Sequence, residues 1–237
     1  MPENNELDHY LDNHYIHRSN WLRAAVLGAN DGILSTGSIA IGVAAASEIR
    51  EPIILATLAG LVAGSLSMAA GEYVSVSSQT DVEKADIERE KEELAEMPEL
   101  ELKRLAQIYE SRGLKKETAL VVAKELTEHD ALGAHVRDEL GINDISAAKP
   151  LQAAFASGAS FTLGGILPFL VTLFLPLKGM EYYLYASSIF FLALLGAMAA
   201  KTGGSSIFEA VARITFWGTV AMGLTAMVGH FFGVNLA

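Results

Sequence analysis

The sequence predicts an all-α membrane protein: five transmembrane helices, with a three-helix cytoplasmic domain between the second and the third. Three observations predict it. Five apolar stretches, at 21–46, 52–75, 151–175, 182–200 and 210–232, each come near the ~20 residues that a helix needs to cross hydrocarbon. Charge is badly mixed along the chain, because 81–149 holds 18 acidic and 11 basic residues and so carries seven of the eleven net negative charges. Within that charged segment the apolar residues recur at helical spacing, which marks a folded domain and not a disordered loop. The chain divides accordingly into a polar tail (1–20), helices one and two (21–80), a helical domain (81–149) and helices three to five (150–237).

The tail is polar and acidic and lacks the basic start and apolar core of a signal peptide, so the first span is expected to remain in place. His9, His14 and His17 have metal-like spacing there but no scaffold, and are read as ordinary polar residues. The first span carries Asp31. A carboxylate at mid-membrane costs about 2.5–3.5 kcal/mol on insertion scales unless it faces a cavity, a partner or an ion. Gly28, Asp31, Ser35, Ser38 and Gly42 share one stripe of that helix, and Ile33, Leu34, Ile41 and Val43 take most of the rest, as in a helix packed inside a bundle.

In the second span Gly60, Gly64, Met68 and Glu72 recur every four residues. The glycines permit close helix approach. Met68 and Glu72 set a thioether one turn from a carboxylate. By themselves they read as packing and as a membrane boundary; beside Asp31 they make an oxygen-and-sulfur site plausible, with a leaning towards softer first-row cations such as Fe(II). Nothing breaks the helix until Pro98, so it is expected to run on into water, with Glu83, Asp86, Glu90 and Glu93 along one face. A solvated stalk is the ordinary reading of such a run.

A second helix is expected over 98–112, opened by Pro98 with Glu99 and Glu101 and stopped at Gly113, with Leu102, Leu105, Ala106 and Tyr109 as its apolar face. A third, over 115–140, has Ala119, Val122, Ala123 and Leu126. It brings His129 beside Asp130, and His135 within one turn of Asp138 and Glu139, where a histidine and carboxylates can hold a divalent metal. In the third span Gly164, Gly165 and Pro168 interrupt the helix and mark either a hinge or a close contact.

Lys and Arg orient the spans. With the N-terminus in the cytoplasm, Arg18, Arg23, Lys201, Arg213 and the domain's basic residues lie inside, leaving Arg50 and Lys178 outside. The absence of cysteine removes disulfides and thiolate sites. The acidic water-exposed part argues against nucleic acid as a partner.

LRAAVLGANDGILSTGSIAIGVAAAS, GSLSMAAGEYVSVSSQTDVEKADIEREKEEL, IYESRGL, DALGAHVRDELGI and ASGASFTLGGILPFL, in this order, resemble the signatures of the vacuolar iron transporter family in its bacterial branch, over nearly the whole chain from about residue 17. The resemblance implies a homodimer in the lipid bilayer with the ion path between subunits, a cytoplasmic metal-binding domain, and proton-coupled movement of Fe(II), and often Mn(II), out of the cytosol. The implied setting is a multi-pass protein of the bacterial inner membrane. It aligns the membrane aspartate with Asp31, the second-span methionine with Met68, and metal-domain glutamates with Glu93, Glu96 and Glu139. Arg104 and Gln107 depart from two glutamates of the eukaryotic members, His135 and Val136 from a methionine pair, and Gly60 from a second-span glutamate. Glu101, Glu110, His135 or Glu72 are the expected substitutes. The expected pathway is therefore Asp31, Met68 and Glu72; the expected metal ligands are Glu90, Glu93, Glu96, Glu101, Glu110, His135 and Glu139. No resident cofactor and no enzymatic activity are expected. A membrane-anchored metal sensor is the alternative, although an anchor needs no carboxylate at mid-depth. A di-iron enzyme fits less well, since the one Glu-x-x-His is Glu6–His9 in the tail.

Overall fold

The computed structural model describes residues 19–142 and 149–236, and these are all-helical apart from short turns. The histidine-bearing tail lies outside the described residues. Seven helices follow in order: α1 Ser19–Ala46, α2 Arg50–Glu96, α3 Pro98–Ser111, α4 Lys116–Asp138, α5 Pro150–Phe174, α6 Met180–Gly203 and α7 Ile207–Leu236. Five of them, α1, α2, α5, α6 and α7, are long and apolar enough to cross a membrane. At 1.5 Å per residue the 47 residues of α2 make about 70 Å, roughly twice the apolar thickness of a bilayer. Its charged half after residue 75 is therefore surplus to any span. Two compact units result, one made of residues 1–72 and 152–237, the other of 73–151.

In the first unit α1 is the central helix. Its small residues make the contacts: a side chain at Gly32 would strike the backbone of Phe161 and Gly165, and one at Gly164 would strike the Ala29 carbonyl, so α1 and α5 pack backbone to backbone. Further along α1, Gly37 faces Ser188 of α6, and Gly42 faces Thr225 and Gly229 of α7. Ile33, Ala40 and Ile41 then close a core with Val171, Met180, Leu184, Leu192 and Met222. The second helix joins α5 through Gly64 against the Phe161 ring and through Ser65 Oγ, which donates to the Gly158 carbonyl at 3.0 Å. Arg50, foreseen only as an outward charge, donates to the carbonyls of Thr172, Leu173 and Leu175 at 2.6–2.8 Å. It thereby satisfies the C-terminal acceptors that α5 leaves open.

In the second unit the anticipated faces meet. Leu105 and Ala106 of α3 pack on Ala123 and Ala134 of α4, with Leu102, Tyr109 and Leu126 around them. Met97 alone separates α2 from α3, and α3 ends as foreseen at Gly113, whose φ of +101° allows its N–H and that of Leu114 to bond back to Glu110 and Tyr109. The anticipated third helix is not continuous. Asp130 is non-helical, and its Oδ1 accepts the Gly133 N–H at 3.0 Å, starting a fresh helical turn within α4.

Gly32→Ala should lower the thermal midpoint of the detergent-solubilised protein, at a cost of about 1–3 kcal/mol, because backbone cannot move aside as a flexible side chain does. Gly71→Ala is its control. No atom lies within 4 Å of a Cβ there, so that change should leave the midpoint unchanged or raise it slightly. Equal losses in both would remove the tight α1–α5 contact from the account.

Candidate metal centre

Seven residues of 81–149 were candidate ligands, and four of them converge. Glu90 comes from α2, Glu101 from the first turn of α3, and His135 and Glu139 from the last turn of α4. Each offers a donor atom within 4.8 Å of all the others. His135 Nδ1 lies 2.8 Å from Glu90 Oε1, 3.1 Å from Glu139 Oε2 and 3.9 Å from Glu101 Oε2. Adjacent ligands around a first-row cation, each ~2.0–2.2 Å from it, are themselves about 3–3.5 Å apart. The Glu90 and Glu139 contacts lie near that spacing, and Glu101 stands slightly farther out. Glu90 is 4% exposed, Glu101 1% and His135 0%, so this is an interior site and not a chance cluster of surface acids.

Hydrogen bonding leaves the site unsatisfied. The Glu139 contact to Nδ1 has hydrogen-bond geometry, whereas the shorter Glu90 contact does not; Glu90 Oε1, Glu101 Oε2 and His135 Nε2 are buried with no hydrogen-bond partner. The two orphan carboxylate oxygens, both near His135 Nδ1, are costly unless something else neutralises them. Burial, and then the neighbouring Glu139 and Glu101 carboxylates, push the Glu90 carboxyl above the usual carboxylate range, against the opposing pull of His135 and Arg104. Such a donor set suits a divalent first-row cation, which carboxylates and an imidazole bind together.

The surrounding structure aims the site. Asp138, anticipated as a possible partner of His135, turns away from it to brace α4 on α3. Tyr109 Oη donates to its Oδ2 at 2.8 Å, and Arg112 Nη1 bonds its Oδ1 at 2.6 Å while stacking 5.2 Å above the Tyr109 ring. Burial disfavours the Asp138 carboxylate, but the Arg112 and Tyr109 hydrogen bonds outweigh it and hold the group below its ordinary range. Glu139, one residue on, is left facing the cluster. The break at Asp130 re-aims the turn that carries both His135 and Glu139; His129 and Asp130 themselves stay exposed.

The remaining candidates part from the site. Glu93 is held below the usual range chiefly by its hydrogen bond from Arg89 at 2.8 Å, and also meets Arg104 at 3.3 Å. Glu96 is exposed, and Glu110 is half-buried outside the group of four. Sequence reasoning noted Arg104 without foreseeing its place. It reaches Glu139 Oε1 at 2.6 Å and Glu101 Oε2 at 3.7 Å as well as Glu93. One link, Glu101 to Arg104 at i,i+3, was legible from spacing.

In the first unit Asp31 is half-buried and accepts a hydrogen bond from Ser35 Oγ at 2.6 Å. Met68 and Glu72 are also half-buried, and among the described residues no hydrogen bond or ion pair joins either to Asp31. Gly164, Gly165 and Pro168 are all buried in α5, with both glycines in the contact with α1.

With this geometry in view, the comparisons with known proteins are specific. The model of the VIT family matches residues 22–230. The chain belongs to the VIT family. It is 44% identical over 213 residues to the vacuolar iron transporter of Acanthamoeba castellanii, covering 88% of this chain and 77% of that one. It is 36% identical over 222 residues to vacuolar iron transporter homolog 1 of Oryza sativa subsp. japonica, covering 93% and 78%. A third VIT relative, vacuolar iron transporter homolog 1 of Arabidopsis thaliana, is 33% identical over 233 residues, covering 94% and 91%.

The raised Glu90 group fixes a pH dependence. An acid whose folded-state pKa is raised contributes stability that is complete below the unfolded glutamate value, about 4.3, and is lost as pH rises through the folded value. In chelator, wild type should therefore lose stability as pH rises above about 4.3. Glu90→Gln should flatten that loss and melt higher at pH 7. Chemical denaturation across this range tests it; parallel curves for the two proteins would show that Glu90 carries no unfavourable buried charge.

Proposed function

We propose that this protein carries Fe(II), and also Mn(II), out of the cytosol in exchange for protons, as a homodimer with its N-terminus on the cytoplasmic side. The observation that carries the proposal is Asp31, a half-buried carboxylate in a candidate membrane helix whose hydrogen-bond partner, Ser35, is neutral. A neutral hydroxyl does not balance a charge in hydrocarbon; a cation or a proton does. The two are alternative neutralisers of one carboxylate, which is the physical basis for antiport.

The cluster of Glu90, Glu101, His135 and Glu139 supplies the selectivity for divalent metal and, in an acidic domain, concentrates the ion before transport. Met68 and Glu72 extend the membrane path as a thioether and a second carboxylate. The printed names of the relatives, vacuolar iron transporter and its homologs, agree with iron as cargo. Lys and Arg placement supports a cytoplasmic helical domain; an inner-membrane setting, where such transport is export, is part of the same proposal.

Asp31→Ala should give protein of normal yield and oligomeric state that moves Fe(II) into proteoliposomes at background rate under a pH gradient acid inside. Wild type should alkalinise the lumen and acidify the outside in step with metal uptake. Undiminished transport by Asp31→Ala would remove that carboxylate from the path, and metal binding without any transport by wild type would favour the anchored sensor.

A further inference from the structure

We propose that Arg104 sets the charge of the metal cluster, fitting it to one divalent cation and disfavouring a trivalent one. This rests on the reading of the cluster as a cation site. Glu90, Glu101 and Glu139 bring three negative charges when ionised, and a histidine that ligates a metal is neutral. Arg104 is always protonated and adds one positive charge. The sum is minus two, which one divalent ion cancels. Glu93 does not change the count, because Arg89 neutralises it at 2.8 Å.

The geometry lets Arg104 share the cluster with an ion instead of blocking it. Arg104 Nη2 takes Glu139 Oε1 at 2.6 Å, while Glu139 Oε2 is the oxygen that faces His135 Nδ1. One carboxylate thus serves the guanidinium with one oxygen and keeps the other for a cation. Arg104 Nη1 is 3.7 Å from Glu101 Oε2, outside hydrogen-bond distance, and that oxygen stays buried and without a hydrogen-bond partner along with Glu90 Oε1. Those orphan atoms are what points to a ligand. The guanidinium is half exposed, but its partners are not: the Glu101 side chain is 2% exposed and that of Glu139 13%. In such surroundings each unbalanced unit of charge is weakly screened, so the net count discriminates between ions of different valence. A trivalent ion would leave the centre at plus one.

Affinity for Mn(II) and for Tb(III), measured on the full chain in detergent, tests this. Mn(II) is followed by loss of its free-ion paramagnetic signal and Tb(III) by luminescence and by displacement of Mn(II). Binding in the cluster is the part removed by Glu101→Gln. Arg104→Gln should raise the ratio of Tb(III) to Mn(II) affinity by roughly tenfold or more, as expected for a unit charge removed beside a trivalent in place of a divalent ion. Arg104→Lys, which keeps the charge, should stay near the wild-type ratio. Arg104→Met, which keeps the aliphatic stem, should behave as Arg104→Gln and serves if the glutamine variant does not fold. An unchanged ratio in the neutral variants, or the same shift in Arg104→Lys, would reduce Arg104 to a brace. If Glu101→Gln removed no Mn(II) from the wild type, the cluster reading would fail first and take this proposal with it.

Discussion

Three carboxylates gathered around one imidazole repel one another, and in a buried setting that repulsion is only weakly screened. Most of the helical unit's particular features answer this one constraint. Apolar contacts between α3 and α4 hold the helices together. The Asp138 brace pins the end of α4, and the turn begun at Asp130 sets the direction of His135 and Glu139. Arg104 offsets part of the charge from the solvent side. What remains is a cluster whose electrostatics favour a cation, held by a scaffold rigid enough to keep the donors at ligand spacing. Cores replaced by hydrophobic residues are commonly as stable as buried ionic ones, so an acidic interior of this kind argues for a ligand more than for stability.

The other unit meets a different constraint with small residues. Helices in lipid gain nothing from burying apolar surface against one another and must instead pack closely. Along α1, contacts at Gly32, Gly37 and Gly42 bring α5, α6 and α7 onto the same helix that carries Asp31. The acid therefore sits, half-buried, on a helix that three others pack against. Gly164 and Gly165 belong to this contact; their burial against α1 is sufficient reason for glycine at both positions, whether or not α5 moves.

The fold was largely legible because each signal that set it was local. Hydropathy runs marked the five long helices, Pro98 and Gly113 bounded α3, and the apolar spacing of Leu105, Ala106 and Ala123 named the core of the helical unit. The break at Asp130 was missed, although Asp followed by Gly three residues later carries a capping signal that helical periodicity masked. The site was legible only in part. Spacing places Glu90 and Glu93 near one face of α2 but cannot say how that face is rotated relative to α3 and α4, and this rotation sends Glu90 inward and leaves Glu93 to Arg89. Arg104 had one partner within its own helix and two on other helices, so its central position could not be read from spacing. Arg50 is similar: its three carbonyl acceptors lie more than a hundred residues away.

The central claim is that the donors of α2, α3 and α4 share one metal ion. Anomalous diffraction from crystals of the full chain grown with Mn(II), with data on both sides of the manganese absorption edge, addresses it directly. The account predicts a single strong peak about 2.0–2.3 Å from oxygens of Glu90, Glu101 and Glu139 and from His135 Nδ1. A map with no peak among those four side chains, while manganese is bound elsewhere on the protein, would contradict it.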